Sequence, residues 1–289
     1  MPLDLDAVGS IGAAVERSWT SNDALLYAVA VGAGTNPFEE LSFTTENSRD
    51  VPQQTLPTYG VVVAMSVGGT GRSIGTFNPA MLVHAEQFIE WHQPLAAEGT
   101  VQLTSTLTDI VDKGSGALVL SDTVAVDAVT QKPVFTARSG LFIRGEGGFT
   151  GPSDSARAPS IAAPSFDERP ADHVVTYPTL LSQALLYRLC GDRNPLHSDP
   201  SFAALAGFER PILHGLCTYG FTGRALLHSL CDSDPSRMRS MYGRFTKPVV
   251  PGQTLVVSMW RDGDAGGASF RTTTDDGTVV VDRGRCTFA

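Results

Sequence analysis

Three short landmarks occur twice in this chain, in the same order and at nearly one separation. Leu25-Leu26-Tyr27 returns as Leu185-Leu186-Tyr187, 160 residues on, and Asn36-Pro37 returns as Asn194-Pro195 after 158. Pro94-Leu95 followed by Gly99-Thr100-Val101 returns as Pro248-Val249 followed by Gly252-Gln253-Thr254-Leu255, at an offset of 154. Taken together they read as a duplication. Between the copies, Arg144 to Pro164 is rich in Gly, Pro, Ser and Ala and has neither helical nor strand periodicity, so it reads as a linker. A length of 289 residues suits two ordinary domains. The expected division is a first domain over 1–145, a linker over 146–165 and a second domain over 166–289.

Each half repeats one coarse plan. A helical segment comes first, Asn22 to Val31 and then Thr179 to Cys190. Strands follow an apolar middle. Val101 to Leu107 alternates with period two, Leu118 to Val126 is apolar and β-branched, and Pro133 to Ile143 is a third candidate strand. The second half offers Leu255 to Trp260, Ala268 to Thr273 and Thr278 to Val281, separated by Asp-Gly turns. The stretch from Arg210 to Leu230 is apolar nearly all round and reads as a buried helix, with Pro211 suited to its first turn. Each half thus predicts an α+β unit, a long central helix wrapped by an antiparallel sheet.

Composition narrows the function. Hydrophobic residues make up 42% and charged residues 18%, enough for a substantial core. A net charge of -9 argues against a nucleic-acid partner, which needs a basic stripe. A small anionic ligand held by a few local cations stays open. Only three lysines occur, Lys113, Lys132 and Lys247. The four cysteines form no C-x-x-C pair and read as reduced cytosolic thiols. The acidic N-terminus predicts no secretory leader, no apolar run predicts a membrane span, and Thr287-Phe288-Ala289 is not a peroxisomal address.

Chemistry concentrates at Gly191-Asp192-Arg193-Asn194-Pro195-Leu196-His197-Ser198-Asp199-Pro200. Asp192 and His197 suit general acid/base work, and Asn194 can orient a water. The same residues also fit an Asx-rich turn with Asp192 as a capping residue. In the first half the aligned positions are Gly34 and Glu39, so one half is expected to be active and the other to bind. Gly215, near a helix start, lets a ligand approach unpaired amides, an oxyanion site. It also fits a glycine that admits close packing, and His214 reads as a satisfied core histidine. Gly69-Thr70-Gly71-Arg72-Ser73-Ile74-Gly75 suggests a dinucleotide loop, but its spacing is wrong and Phe77-Asn78-Pro79 stops a helix there. Asp199 with His197 lacks an evident third metal ligand.

The run GDRNPLHSDPSFAALAGFERPILHGLCTYG closely resembles the motif of the MaoC-like enoyl-CoA hydratases of the hydratase 2 group. Tyr27 to Ala33, Leu56 to Gly60, His84 to Gln87, Asp112 to Gly116 and Gly243 to Val249 look like further landmarks of that family, so the resemblance spans nearly the whole chain. It implies a double hotdog fold, two antiparallel sheets each around a central helix, with the active site in the second half. It implies reversible syn hydration of a trans-2-enoyl-CoA to the (3R)-3-hydroxyacyl-CoA. By position, Asp192 and His197 become the acid/base pair, Asn194 helps hold the water, and the Gly215 amide faces the thioester oxygen. His84, Ala85, Lys113, Arg193, Pro195, Leu196 and Phe245 fall at substrate-binding positions. Ala85 departs from the glycine expected there. The resemblance implies no cofactor, no metal, a homodimer and a cytoplasmic enzyme. Two other readings stay open: a dehydratase acting on acyl-carrier-protein thioesters, and a non-catalytic acyl-CoA-binding module.

Overall fold

The computed structural model describes residues 3–65, 73–149, 169–263 and 266–289. The glycine-rich stretch at 66–72 and linker positions 150–165 lie outside the described residues.

The first half runs β1 (Val15–Trp19), α1 (Ser21–Ala30), α2 (Leu41–Thr44), α3 (Tyr59–Ala64), β2 (Leu82–Trp91), β3 (Gly99–Asp112), β4 (Gly116–Asp127) and β5 (Pro133–Arg144). The second runs β6 (His173–Pro178), α4 (Gln183–Tyr187), α5 (Pro200–Leu205), α6 (Gly215–Leu230), β7 (Met238–Phe245), β8 (Thr254–Arg261), β9 (Gly267–Thr274) and β10 (Val279–Phe288). The strand order is β1-β3-β4-β5-β2-β7-β10-β9-β8-β6. Read from its two ends, this order is the same in both halves, which is the signature of the duplication. β2 pairs with β7 from Glu86↔Arg244 to Glu90↔Ser240, so the two five-stranded sheets join into one continuous sheet. This is the double hotdog arrangement.

The repeated landmarks occupy matching places. Leu25-Leu26-Tyr27 lies in α1 and Leu185-Leu186-Tyr187 in α4, and the Tyr27 and Tyr187 rings approach to 6.2 Å. Asn36 Oδ1 accepts from Phe38 N at 3.1 Å, and Asn194 Oδ1 accepts from Leu196 N at 3.0 Å. The Asn-Pro pair therefore builds one turn in both halves.

Helix limits differ from the sequence reading in three places. α6 begins at Gly215, and Pro211 lies in non-helical chain ahead of it. The backbone there is already bonded elsewhere: Leu213 N donates to Val249 O at 2.7 Å, and Ile212 O accepts from His197. The segment expected to be helical from Thr179 starts later, because Thr179 N donates to Gln253 O and stays tied to the sheet. It then tightens into a 3₁₀ turn over Arg188–Cys190, before Gly191 at φ 141°. In the first half the described central helix, α3, has only six residues.

α6 is buried along almost its whole length and packs against both halves. At Gly220 a Cβ would lie 2.5 Å from Val31 Cγ1, so glycine is what lets α1 come this close. A buried ion pair fastens the contact: Arg224 Nε donates to Glu40 Oε1 at 2.6 Å, and Arg224 Nη1 donates to Val31 O at 2.8 Å. His228 Nε2 meets the same carboxylate at 2.7 Å. Among the described residues no helix is long and apolar enough to cross a membrane.

Candidate active site

Between the halves lies a cavity of about 390 Å³. Its first-half wall comes from β2 (Leu82, Val83, His84, Ala85), β5 (Leu141, Arg144) and Met65. Its second-half wall comes from the loop with Asp192, Asn194, Leu196 and His197, from Ile212 and Leu213, from Gly215 and Leu216 at the start of α6, and from Phe245 to Val249 after β7. The wall is mostly apolar, with a few polar groups converging, as in small-molecule sites generally.

The loop is shaped by its own polar residues. Asp192 Oδ1 accepts from Asn194 N at 3.0 Å, and the Asn194 oxygen caps the 3₁₀ turn Pro195–His197. The turn role and the chemical role thus coexist. Asn194 spends its side-chain oxygen on the backbone, which leaves its NH₂ as the group able to face a ligand. His197 is nearly buried, and its Nδ1 donates to Ile212 O at 2.8 Å. Because a carbonyl only accepts, the proton sits on Nδ1 and Nε2 carries the lone pair. Burial lowers the His197 pKa, opposed by the Ile212 hydrogen bond and the Asp192 charge, so the ring is neutral and able to take a proton.

Gly215 is the first residue of α6, with His214 at the cap position and no side-chain cap. Cys217 N and Thr218 N both bond to His214 O, so Gly215 and Leu216 keep the unpaired amides of the first turn. A Cβ on Gly215 would meet the Phe245 ring at 3.5 Å, an ordinary contact. Packing against the protein does not demand glycine here, whereas close approach of a ligand to the amide does.

His84 faces this centre from the first half. Its ring meets Phe245 edge-on at 5.4 Å, and its Nε2 donates to Glu86 O at 3.1 Å. Burial holds its pKa down at about 4, so His84 is neutral. Ala85 sits at a bulge of β2, between the pairs His84↔Leu141 and Glu86↔Gly140.

The structure therefore gathers Asp192, Asn194, Leu196, His197, Gly215, His84, Ala85 and Phe245 around one cavity. Arg193 and Pro195 are exposed on the loop and do not line it. Lys113 is exposed in the β3–β4 turn, also off the wall. Among the described residues the cations that do line it are Arg144 and Lys247. Arg144 was not visible from sequence. Its signal, a cation at the last position of a strand, is too common to single out. His214 is buried as expected but not satisfied, since its Nδ1 has no hydrogen-bond partner among the described residues. Asp192, His197 and His214 bring ligand-type atoms within 4.8 Å of one another. The two imidazoles stack at 27° with centroids 3.7 Å apart, and His214 lies behind the cavity wall.

Comparison with known proteins places the chain in a family. Residues 18–145 match the MFE-2 hydratase 2 N-terminal domain and residues 164–282 the MaoC-like domain. A 3-hydroxyacyl-thioester dehydratase Y of Mycobacterium tuberculosis is 46% identical over 98% of both chains. The chain belongs to the MaoC-like hydratase 2 family. An enoyl-CoA hydratase ChsH3 of the same organism is 43% identical over 97% of both chains. The crystal structure of a MaoC-like dehydratase from Phytophthora capsici superposes with a TM-score of 0.88 at 32% identity, over 99% of this chain and 98% of that one. The hydratase 2 fold thus extends across both halves.

Proposed function

We propose that this hydratase 2 enzyme is a hydro-lyase that interconverts trans-2-enoyl-CoA and (3R)-3-hydroxyacyl-CoA. The observation that carries the reading is the convergence of Asp192, the His197 Nε2 lone pair and the free Gly215 amide on one cavity. Attack of water at C3 of an enoyl thioester drives negative charge onto the thioester oxygen, and the Gly215 N–H stabilises that enolate. His197 Nε2 takes one proton from the water as its oxygen bonds to C3. Asp192 accepts the second hydrogen bond of the water and stabilises the imidazolium. His197 then returns its proton to C2. Both new bonds form on the side where His197 stands, so addition is syn and the enzyme ends unchanged.

In this reading residues 1–145 hold the acyl chain and residues 166–289 carry the chemistry. Leu82, Val83 and Leu141 give the first-half wall its apolar character. Arg144 and Lys247 are the first cations for the CoA phosphates, with Lys113 on the adjoining turn: Gly116 pairs with Arg144 in the sheet. No cofactor or metal takes part in these steps. The proposed working form is a cytoplasmic homodimer. The test is loss of conjugated-thioester absorbance on adding enzyme to trans-2-enoyl-CoA, beside a matched acyl-carrier-protein thioester. Turnover of the CoA form supports the proposal; inactivity at every chain length overturns it.

A further inference from the structure

His214 is only 1% exposed and does not line the cavity, although its neighbours Leu213 and Gly215 do. Its imidazole stacks on that of His197 with centroids 3.7 Å apart, and the Tyr187 ring lies 4.9 Å away. Its Nε2 donates to the backbone oxygen of Asp192 at 3.3 Å. Its own carbonyl starts α6 by accepting from Cys217 and Thr218. One residue therefore touches the Asp192 loop, the His197 ring and the helix start that presents Gly215.

We propose that His214 is a positioning residue, which holds the His197 ring and the Asp192 backbone in register with the Gly215 amide. The proposal rests on the hydratase reading of those three residues. With Nε2–H given to Asp192 O, Nδ1 is an acceptor with no partner among the described residues, a defect that costs about 1–3 kcal/mol when buried. A position serving packing alone is better filled by an apolar ring. Burial, then the charge of His197 and that of Arg188, hold the His214 pKa at about 3, against the pull of the Asp192 carbonyl. The ring consequently stays neutral while His197 carries the water proton, and no second positive charge opposes that step. Misplacement of a reacting group by about 1 Å can cost about 10²-fold in rate.

Two variants separate the two contacts. His214→Phe keeps a flat ring and loses the donor; His214→Gln keeps a donor and loses the ring. Each is expected to lower kcat by about 10- to 100-fold while KM changes by less than about twofold. In His214→Gln the acid limb of kcat/KM should also move up, because water reaches His197; in His214→Phe it should stay. Unchanged kcat in both variants overturns the positioning role. Asp192→Asn, assayed alongside, tells the two readings apart. Inactive Asp192→Asn with unaffected His214 variants removes only the role of His214, whereas active Asp192→Asn removes the hydratase reading and this role with it. Histidine NMR of the wild-type protein needs no variant: His214 should remain a neutral Nε2–H tautomer until about pH 3, with His197 ring protons shifted by the stacked ring. Titration of His214 at an ordinary histidine value overturns the proposal.

Discussion

His197 Nδ1 donates to the carbonyl of Ile212 at 2.8 Å, and this bond decides which nitrogen of the ring can act. It also explains why the chain from Pro211 to His214 stays out of the helix. A helical Ile212 would turn its carbonyl along α6 and away from the imidazole.

The first prediction follows from that ring. Burial places the His197 pKa below its ordinary value, so the neutral ring predominates at neutral pH. In the proposed mechanism, protonation on acidification removes the base. The acid limb of kcat/KM should therefore fall below about pH 6.5, and His197→Gln should abolish it along with most activity. A limb above that value in the wild-type enzyme contradicts the assignment.

The dyad itself should be severe to alter and structurally quiet. Asp192 is partly exposed on a loop. Asp192→Asn and His197→Gln are each expected to lower kcat by about 10² to 10⁴-fold. Thermal melting of Asp192→Asn should stay close to that of the wild type, because Asn keeps the oxygen that accepts from Asn194 N. Steady-state kinetics beside a melting curve check both halves of the prediction.

Gly215→Ala tests the oxyanion site apart from packing. The added methyl finds the Phe245 ring at 3.5 Å and needs no rearrangement, so stability should hold. The amide would be screened from the thioester oxygen, and kcat should drop by about 10² to 10³-fold. An equal loss of stability and activity would point to the packing role instead.

Arg144 and Lys247 are exposed cations on the cavity wall. Removing either should raise KM for a CoA thioester by about two- to fivefold, the worth of an exposed charge contact under 1 kcal/mol, and should leave kcat unchanged. The effect should shrink with added salt. Lys113→Ala, measured with them, shows whether the β3–β4 turn also reaches the phosphates.

The Glu40 ion pair predicts acid sensitivity of the joint between the halves. Burial opposes ionisation of Glu40, but the His228 and Arg224 contacts outweigh it and hold the pKa down at about 2. A depressed carboxylate stabilises the fold fully above its unfolded value and loses that contribution as pH falls towards 2. Glu40→Ala leaves Arg224 buried without its partner and should cost about 3–5 kcal/mol in denaturant melts at neutral pH. The variant should also lose the wild-type drop in stability between about pH 4.5 and 2.

Much of the architecture was legible because the repeated pieces are turns and short helical runs, which depend on local chemistry. Leu-Leu-Tyr and Asn-Pro marked equivalent places correctly. β3 was visible through its period-two alternation and β4 through its apolar, β-branched run. β2 and β7 were not, because one edge of each is bonded across the junction of the halves, and that pairing leaves no local pattern. The limits of α6 were missed because the bonds that stop it, to Val249 and His197, come from distant chain. At the site, Asp192, His197 and Gly215 were legible as residue types near turns. Arg144 and the stacking of His214 on His197 exist only through tertiary contact.

The account stands most directly on the stereochemistry of hydration. Wild-type enzyme is incubated with a trans-2-enoyl-CoA in deuterium oxide, and the configuration at C2 and C3 of the product is determined. A single (3R)-3-hydroxyacyl-CoA, with the deuteron at C2 added on the same face as the hydroxyl, is the predicted result. A (3S) product, or addition across opposite faces, would contradict a centre in which His197 delivers both events from one wall.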